Sequence, residues 1–233
     1  MTDHAAILAQ LARLAAADAK ERHLAERLCE ASRLILGVTG ASITVDTATS
    51  NRITLASSDE VAARLEDLQE LLGQGPCREA FQTGLPVTVD LGEQADERWP
   101  EFTRAAREAV GELRISCFPM RPSRQSVFGT LSLYVTEGDT LPESTDTAQF
   151  LADAVGAALL RDPTSEDGVT GGGAWSARAQ IHQATGMVIA QLRLSTDDAL
   201  AILRAHAYAH DTTLSDIAAK VVRRELDFTE GIA

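Results

Sequence analysis

The stretch Arg178-Ala179-Gln180-Ile181-His182-Gln183-Ala184-Thr185-Gly186-Met187-Val188-Ile189-Ala190 begins the part of the chain that decides its architecture. Leu214-Ser215-Asp216-Ile217-Ala218-Ala219-Lys220-Val221-Val222-Arg223-Arg224 closes it. In the first piece Ile181, Ala184, Thr185, Val188, Ile189 and Leu192 fall at i, i+3, i+4, i+7, i+8 and i+11, one helical face interrupted by a single Thr. Next, Ser195-Thr196-Asp197-Asp198 supplies an S-x-x-D helix start, and Ala199, Leu200, Leu203 and Ala207 form the apolar side behind it. Thr213-x-x-Asp216 offers another cap, followed by the stripe Leu214, Ile217, Ala218, Val221 and Val222. Three short amphipathic helices with tight loops predict a small helical bundle.

Charge separates this tail from the rest. The chain has 233 residues and a formal net charge of −13. From Ser176 onward six basic residues (Arg178, Arg193, Arg204, Lys220, Arg223, Arg224) meet seven acidic ones, which leaves −1 there and −12 upstream. A strongly acidic body repels nucleic acid, so the tail is the one surface suited to it. The three cysteines, Cys29, Cys77 and Cys117, are far apart and contain no C-x-x-C, which excludes a disulfide framework and a zinc ribbon. With no signal-peptide pattern and no apolar run of membrane-spanning length, a reducing cytoplasm and no membrane are expected. Lys20 and Lys220 are the only lysines, and Arg and Ala are abundant, which suggests a G+C-rich bacterial genome.

Upstream, helical spacing predicts helices over residues 4–18 (Ile7, Leu8, Leu11, Leu14) and from Leu24 to near Gly37 (Leu24, Leu28, Ala31, Leu34, Ile35). Strands are expected at 41–47 and 52–57 around the turn Thr49-Ser50-Asn51. Asp59 can cap a helix to about Leu72, and Pro76 can open another after the glycine turn Gly73-Gln74-Gly75. A short strand over 86–91, a helix over 101–110, strands over 115–120 and 127–135, and a helix over 143–160 complete the region. The expected fold is α+β, a sheet flanked by helices with antiparallel pairing. The polar, Gly-rich run 163–174 reads as a flexible linker. The domain layout is then an N-terminal helix over 1–19, an α+β domain over 20–162, the linker, and the helical domain over 175–233.

The words of the tail resemble the ANTAR domain, an RNA-binding module of bacterial antitermination regulators. They are Ile181, Ala184, Gly186 and Ala190, then Ala199, Leu203 and Arg204, then Leu214, Asp216, Ile217 and Ala218. Many members carry Lys where Thr185 stands, and basic residues at Thr212 and Thr213. The upstream words resemble the GAF domain in the version found beside ANTAR modules. They are Gly73-x-Gly75-Pro76-Cys77 with Ala80, Pro86-Val87-x-Val89-x-Leu91, Trp99-Pro100, Ala106, Gly111, Phe118-Pro119-Met120 and Gly129-x-Leu131-x-Leu133-Tyr134. Together the resemblances imply a GAF-like sensor controlling an ANTAR-like three-helix bundle that binds RNA hairpins, with no catalysis.

Candidate residues follow. Any RNA phosphate contact must draw on the tail's cations, so Arg178, Arg204, Lys220, Arg223 and Arg224 are the candidates, the last three sharing one flank of the third helix at i, i+3 and i+4. His206 and His210 are candidates for base contacts. GAF domains generally bind a small molecule in the cup between sheet and helices. Here Gly73, Gly75, Cys77 and Cys117 are the candidates, with the two glycines able to let backbone N–H groups approach an anion. Helix N-termini activate thiols, so Cys77 is expected to be the most reactive cysteine and a possible redox sensor. Bilin attachment is disfavoured because Arg78, not His, follows Cys77. Haem would have only Cys77 or Cys117 as an axial ligand, and no metal motif is present. The cofactor, if any, is unknown. The N-terminal helix and the 143–160 helix carry apolar residues that predict a homodimer, with Leu11 and Leu14 at the contact. Two alternatives stand: a tail that only docks proteins or dimerises, and a GAF-fold thiol-dependent methionine sulfoxide reductase.

Overall fold

A computed structural model describes residues 4–17, 21–46, 52–92, 96–122, 126–136, 143–161, 174–210 and 212–229. The turn expected at 49–51 and nearly all of the expected linker lie outside these residues. The chain divides into two compact units.

The first unit runs α1 (His4–Ala16), α2 (Leu24–Leu36), β1 (Gly40–Asp46), β2 (Arg52–Ser57), α3 (Glu60–Leu72), α4 (Pro76–Thr83), β3 (Val87–Asp90), α5 (Pro100–Val110), β4 (Leu113–Met120), β5 (Gly129–Thr136) and α6 (Thr145–Leu160). Local chemistry sets these boundaries. The Asp59 side chain accepts a hydrogen bond from Ala62 N at 2.8 Å and starts α3. Pro76 opens α4, where its missing N–H costs no hydrogen bond. Ser144 caps α6 through Thr147 N.

The five strands form one antiparallel sheet in the order β2-β1-β5-β4-β3. Residues opposite one another across the strands share a face. Ser42, Ser132, Cys117 and Val87 therefore form one row, and Ile43, Leu131 and Phe118 form a row on the other face. Helix α6 packs on the Phe118 face, where Gly156 lies against Met120. Helix α4 packs on the Cys117 face. Every residue of β5 except Thr136 is therefore buried, on both faces of the sheet. Two covering helical layers are the reason. Burying each large side chain such as Phe118 or Leu131 contributes about 1.5–3 kcal/mol. A Cβ at Gly129 would collide with the Thr44 carbonyl oxygen, so the tight β1–β5 approach requires glycine there.

Helix α1 corrects one expectation. Its Ile7, Leu11 and Ala15 are buried within the chain, against α2 and α6, so Leu11 is not available to a second copy. Leu8, Leu34 and Leu160 are large apolar residues of α1, α2 and α6 that remain exposed. His4 stacks on Phe150 with ring centroids 3.9 Å apart.

The second unit is α7 (Ala174–Leu192), α8 (Thr196–Ala209) and α9 (Leu214–Val222), each packed on the other two. Ile181, Ala184, Val188, Leu203, Ile217 and Val221 are among its buried core. Both expected caps form: Ser195 accepts from Asp198 N and Thr213 from Asp216 N. Thr185, the polar interruption of the first stripe, is buried and satisfies its hydroxyl on the Ile181 carbonyl at 2.7 Å. Beyond α9 the chain turns back, and Leu226 and Phe228 pack on the bundle.

Candidate functional site

Polar groups concentrate in the first unit under α3 and α4. On α3, Ala62, Leu65, Glu66 and Gln69 fall at i, i+3, i+4 and i+7, so Glu66 and Gln69 occupy its buried face. Glu66 accepts from Ser42 at 2.8 Å and from Arg52 Nη2 at 3.4 Å. Arg52 Nη2 also reaches Thr130 at 3.2 Å, while its Nη1 has no hydrogen-bond partner among the described residues. Burial opposes the Arg52 charge, but the neighbouring Cys77 and Glu66 outweigh it and hold the guanidinium protonated. A buried pair of this kind survives because each ion is matched by the other and by further hydrogen bonds.

Gln69 links this pair to the cysteines. Its Oε1 accepts from Cys77 N at 2.8 Å and its Nε2 approaches Cys77 Sγ at 3.2 Å. Cys77 Sγ lies 2.6 Å from Cys117 Sγ, 2.6 Å from Ser132 Oγ and 3.5 Å from Glu66 Oε1. Burial pushes the Cys117 thiol well up, reinforced by Cys77. Burial likewise raises the Cys29 thiol to about 12, and Cys29 sits apart, bonded to the Ala41 carbonyl. A cavity of about 10 Å³, room for one water, lies beside the cluster, lined by Ser42, Glu66, Ser132 and Tyr134 among others.

These contacts revise the sequence candidates. Cys77 and Cys117 do come together. Gly73 and Gly75 do not present an anion nest: Gly73 (φ 65°) ends α3, Gly75 (φ 142°) precedes α4, and the Gln69 side chain occupies the start of that helix. All three thiols are buried, so access rather than the helix N-terminus governs the reactivity of Cys77. Arg52, Glu66 and Gln69 were missed. The legible signal was two polar residues on the otherwise apolar stripe of α3.

In the tail, His206 and His210 stack with ring centroids 4.1 Å apart, and His206 meets Phe228 edge-on at 5.3 Å. Burial, then the charges of His210 and Lys220, lower the His206 pKa below its usual value. Arg204 is half-buried on α8. Arg223 pairs with Glu225 at 2.9 and 3.2 Å. The shared flank expected for Lys220, Arg223 and Arg224 stops at Arg223. Arg224 takes φ 59°, and Glu225 N returns to the Lys220 carbonyl at 2.8 Å, ending the helix. Arg193, exposed at φ 56° after α7, was not among the candidates. The side chains of Arg178 and His182 lie outside the described set. Thr212 and Thr213, where basic residues were looked for, both donate to Asp216 and hold the cap of α9. Gly186 is exposed, and a Cβ there would meet nothing within 4 Å among the described residues, so its packing there does not call for a glycine.

Comparison with known proteins agrees with this organisation. The GAF domain model matches residues 21–159 and the ANTAR domain model matches residues 173–222. The chain belongs to the GAF domain family and carries an ANTAR domain after it. Similar solved structures include the nlh2 GAF domain of A. aeolicus, 14% identical, covering 68% of this chain and 97% of that one with a TM-score of 0.46. The second GAF domain of DevS from Mycobacterium smegmatis is 13% identical, with 71% and 99% covered and a TM-score of 0.43. The GAF domain of an Acinetobacter phosphoenolpyruvate-protein phosphotransferase is 14% identical, with 73% and 98% covered and a TM-score of 0.42. No protein with a curated description matches the chain. A GAF domain joined to an ANTAR domain fits a signal-regulated antitermination regulator. Among the described residues no helix is long and apolar enough to cross a membrane, and no group of three or more His, Cys, Asp or Glu is placed to hold a metal.

Proposed function

We propose that the protein is a signal-responsive antitermination regulator in which the GAF domain controls RNA-hairpin binding by the ANTAR bundle. The observation that carries this reading is the stacked His206–His210 pair, with exposed Lys220 and Arg224, on a tail of near-neutral charge that follows a body of −12. Stacked imidazoles offer faces and edges to unpaired bases, and Lys220 supplies phosphate neutralisation. Arg224, Arg204 and Arg178 add positive charge, while Arg223 shares its own with Glu225. The GAF domain and the bundle act as separate units joined by the 163–174 linker. The protein works in the cytoplasm as a homodimer whose contact draws on exposed Leu8, Leu34 and Leu160.

The direct test is equilibrium titration of the full chain with antiterminator-type hairpins at several salt concentrations. Binding that weakens with salt, and weakens further in Lys220→Ala, supports the reading. Absence of hairpin binding at low salt, with or without an oxidised sensor, transfers the tail to the protein-docking alternative.

A further inference from the structure

The thiol pair of the GAF domain is the feature that neither domain assignment explains. Cys77 and Cys117 are both 0% exposed, on α4 and β4, and their sulfurs are 2.6 Å apart. A disulfide bond needs about 2.05 Å, so closure asks for a shift of roughly half an ångström. Ser132 Oγ contacts both sulfurs, at 2.6 and 3.3 Å, and lines the water-sized cavity together with Glu66. A small oxidant entering that cavity stands against Ser132 and Glu66, the two lining residues whose side chains touch Cys77 Sγ. Two buried cysteines that served only as core filler would have no need of Glu66, Gln69 and Ser132 around one sulfur.

We propose that Cys77 and Cys117 are a peroxide-oxidisable dithiol, and that their closure to an intramolecular disulfide is the signal read by the GAF domain. The second half rests on the regulatory function proposed above. The chemistry balances with hydrogen peroxide as the oxidant. Cys77 passes its proton to Glu66 Oε1, 3.5 Å away, and its sulfur attacks one peroxide oxygen. The S–O bond forms, the O–O bond breaks, and the leaving hydroxide takes the proton and departs as water. Cys117 sulfur then attacks Cys77 sulfur, expelling hydroxide, which leaves as a second water with the Cys117 proton. Two thiols and one peroxide give one disulfide and two waters.

The consequence is structural. Closure removes the Cys77 thiol hydrogen that faces Glu66 and pins the start of α4 to β4. Gln69 and the Arg52–Glu66 pair must then rearrange, which carries the change into α3.

The experiment exposes the reduced full chain to hydrogen peroxide, blocks remaining thiols after denaturation, and maps peptides by mass. The expected result is a monomeric product 2 Da lighter, a Cys77–Cys117 cross-link, and one free thiol at Cys29. Dithiothreitol should restore all three thiols. In Cys117→Ala, Cys77 should instead be found as the sulfenic or sulfinic acid. Three blocked thiols after peroxide, or a cross-link through Cys29 or between chains, overturns the proposal. Hairpin titration of both forms separates the two halves. Equal affinity of reduced and oxidised chain removes the signal role while RNA binding stands. A disulfide with no hairpin binding in either form leaves the dithiol chemistry in place and defeats the proposed function instead.

Discussion

Arg52 on β2 and Glu66 on α3 face each other 3.4 Å apart with side chains 7% and 2% exposed, a charge pair inside the GAF domain rather than on it. Removing one member leaves the other buried and uncompensated. Glu66→Ala should therefore cost about 3–5 kcal/mol in chemical denaturation, whereas Arg52→Met with Glu66→Leu should recover much of that loss. A single-variant cost below about 1 kcal/mol would mean that water reaches the pair.

Gly186 is an exposed residue inside a 19-residue helix with open space where a Cβ would stand. Gly186→Ala should stabilise the ANTAR bundle by up to about 1 kcal/mol through helix propensity alone. If RNA backbone approaches this point, the same variant will bind hairpins more weakly while melting higher, and paired melting and titration curves show both effects.

Much of this architecture was legible in the sequence, for local reasons. Caps at Asp59, Ser195 and Thr213, glycine after α2 and the apolar stripes of α7 and α9 are rules of neighbouring residues, and each produced the expected element. The inward polar cluster was not read, because Arg52 and Glu66 are joined only by folding β2 against α3. The Cys77–Cys117 contact spans 40 residues of separation for the same reason. The assignment of Leu11 to a dimer failed because periodicity shows that a face is buried, not what buries it.

His206 gives the tail a pH dependence of defined sign. Its folded pKa lies below the unfolded value of about 6.5, through burial first and then His210 and Lys220. As pH falls through that window the unfolded chain takes up the proton first, so bundle stability should decline. His206→Gln should lack this component. Denaturation of both proteins at pH 7.5 and 5.5 compares them, and equal losses would remove His206 as the cause.

The cations should differ in their effect on RNA binding. Lys220 and Arg224 are exposed, whereas Arg223 is held by Glu225. Lys220→Ala and Arg224→Ala should each flatten the log–log salt dependence by about one unit, and Arg223→Ala by less. None of the three touches the apolar stripe, so melting temperatures should be unchanged. A larger effect from Arg223 than from the other two would show that Glu225 releases it on binding.

The regulatory reading is tested most directly by identifying the RNA that ultraviolet light crosslinks to the full-length protein in the cell. The account predicts crosslinks on stem-loops ahead of transcription terminators, joined to peptides within 174–229, and lost together in the Lys220→Ala, Arg223→Ala, Arg224→Ala triple variant. Recovery of RNA no greater than from that triple variant would contradict it.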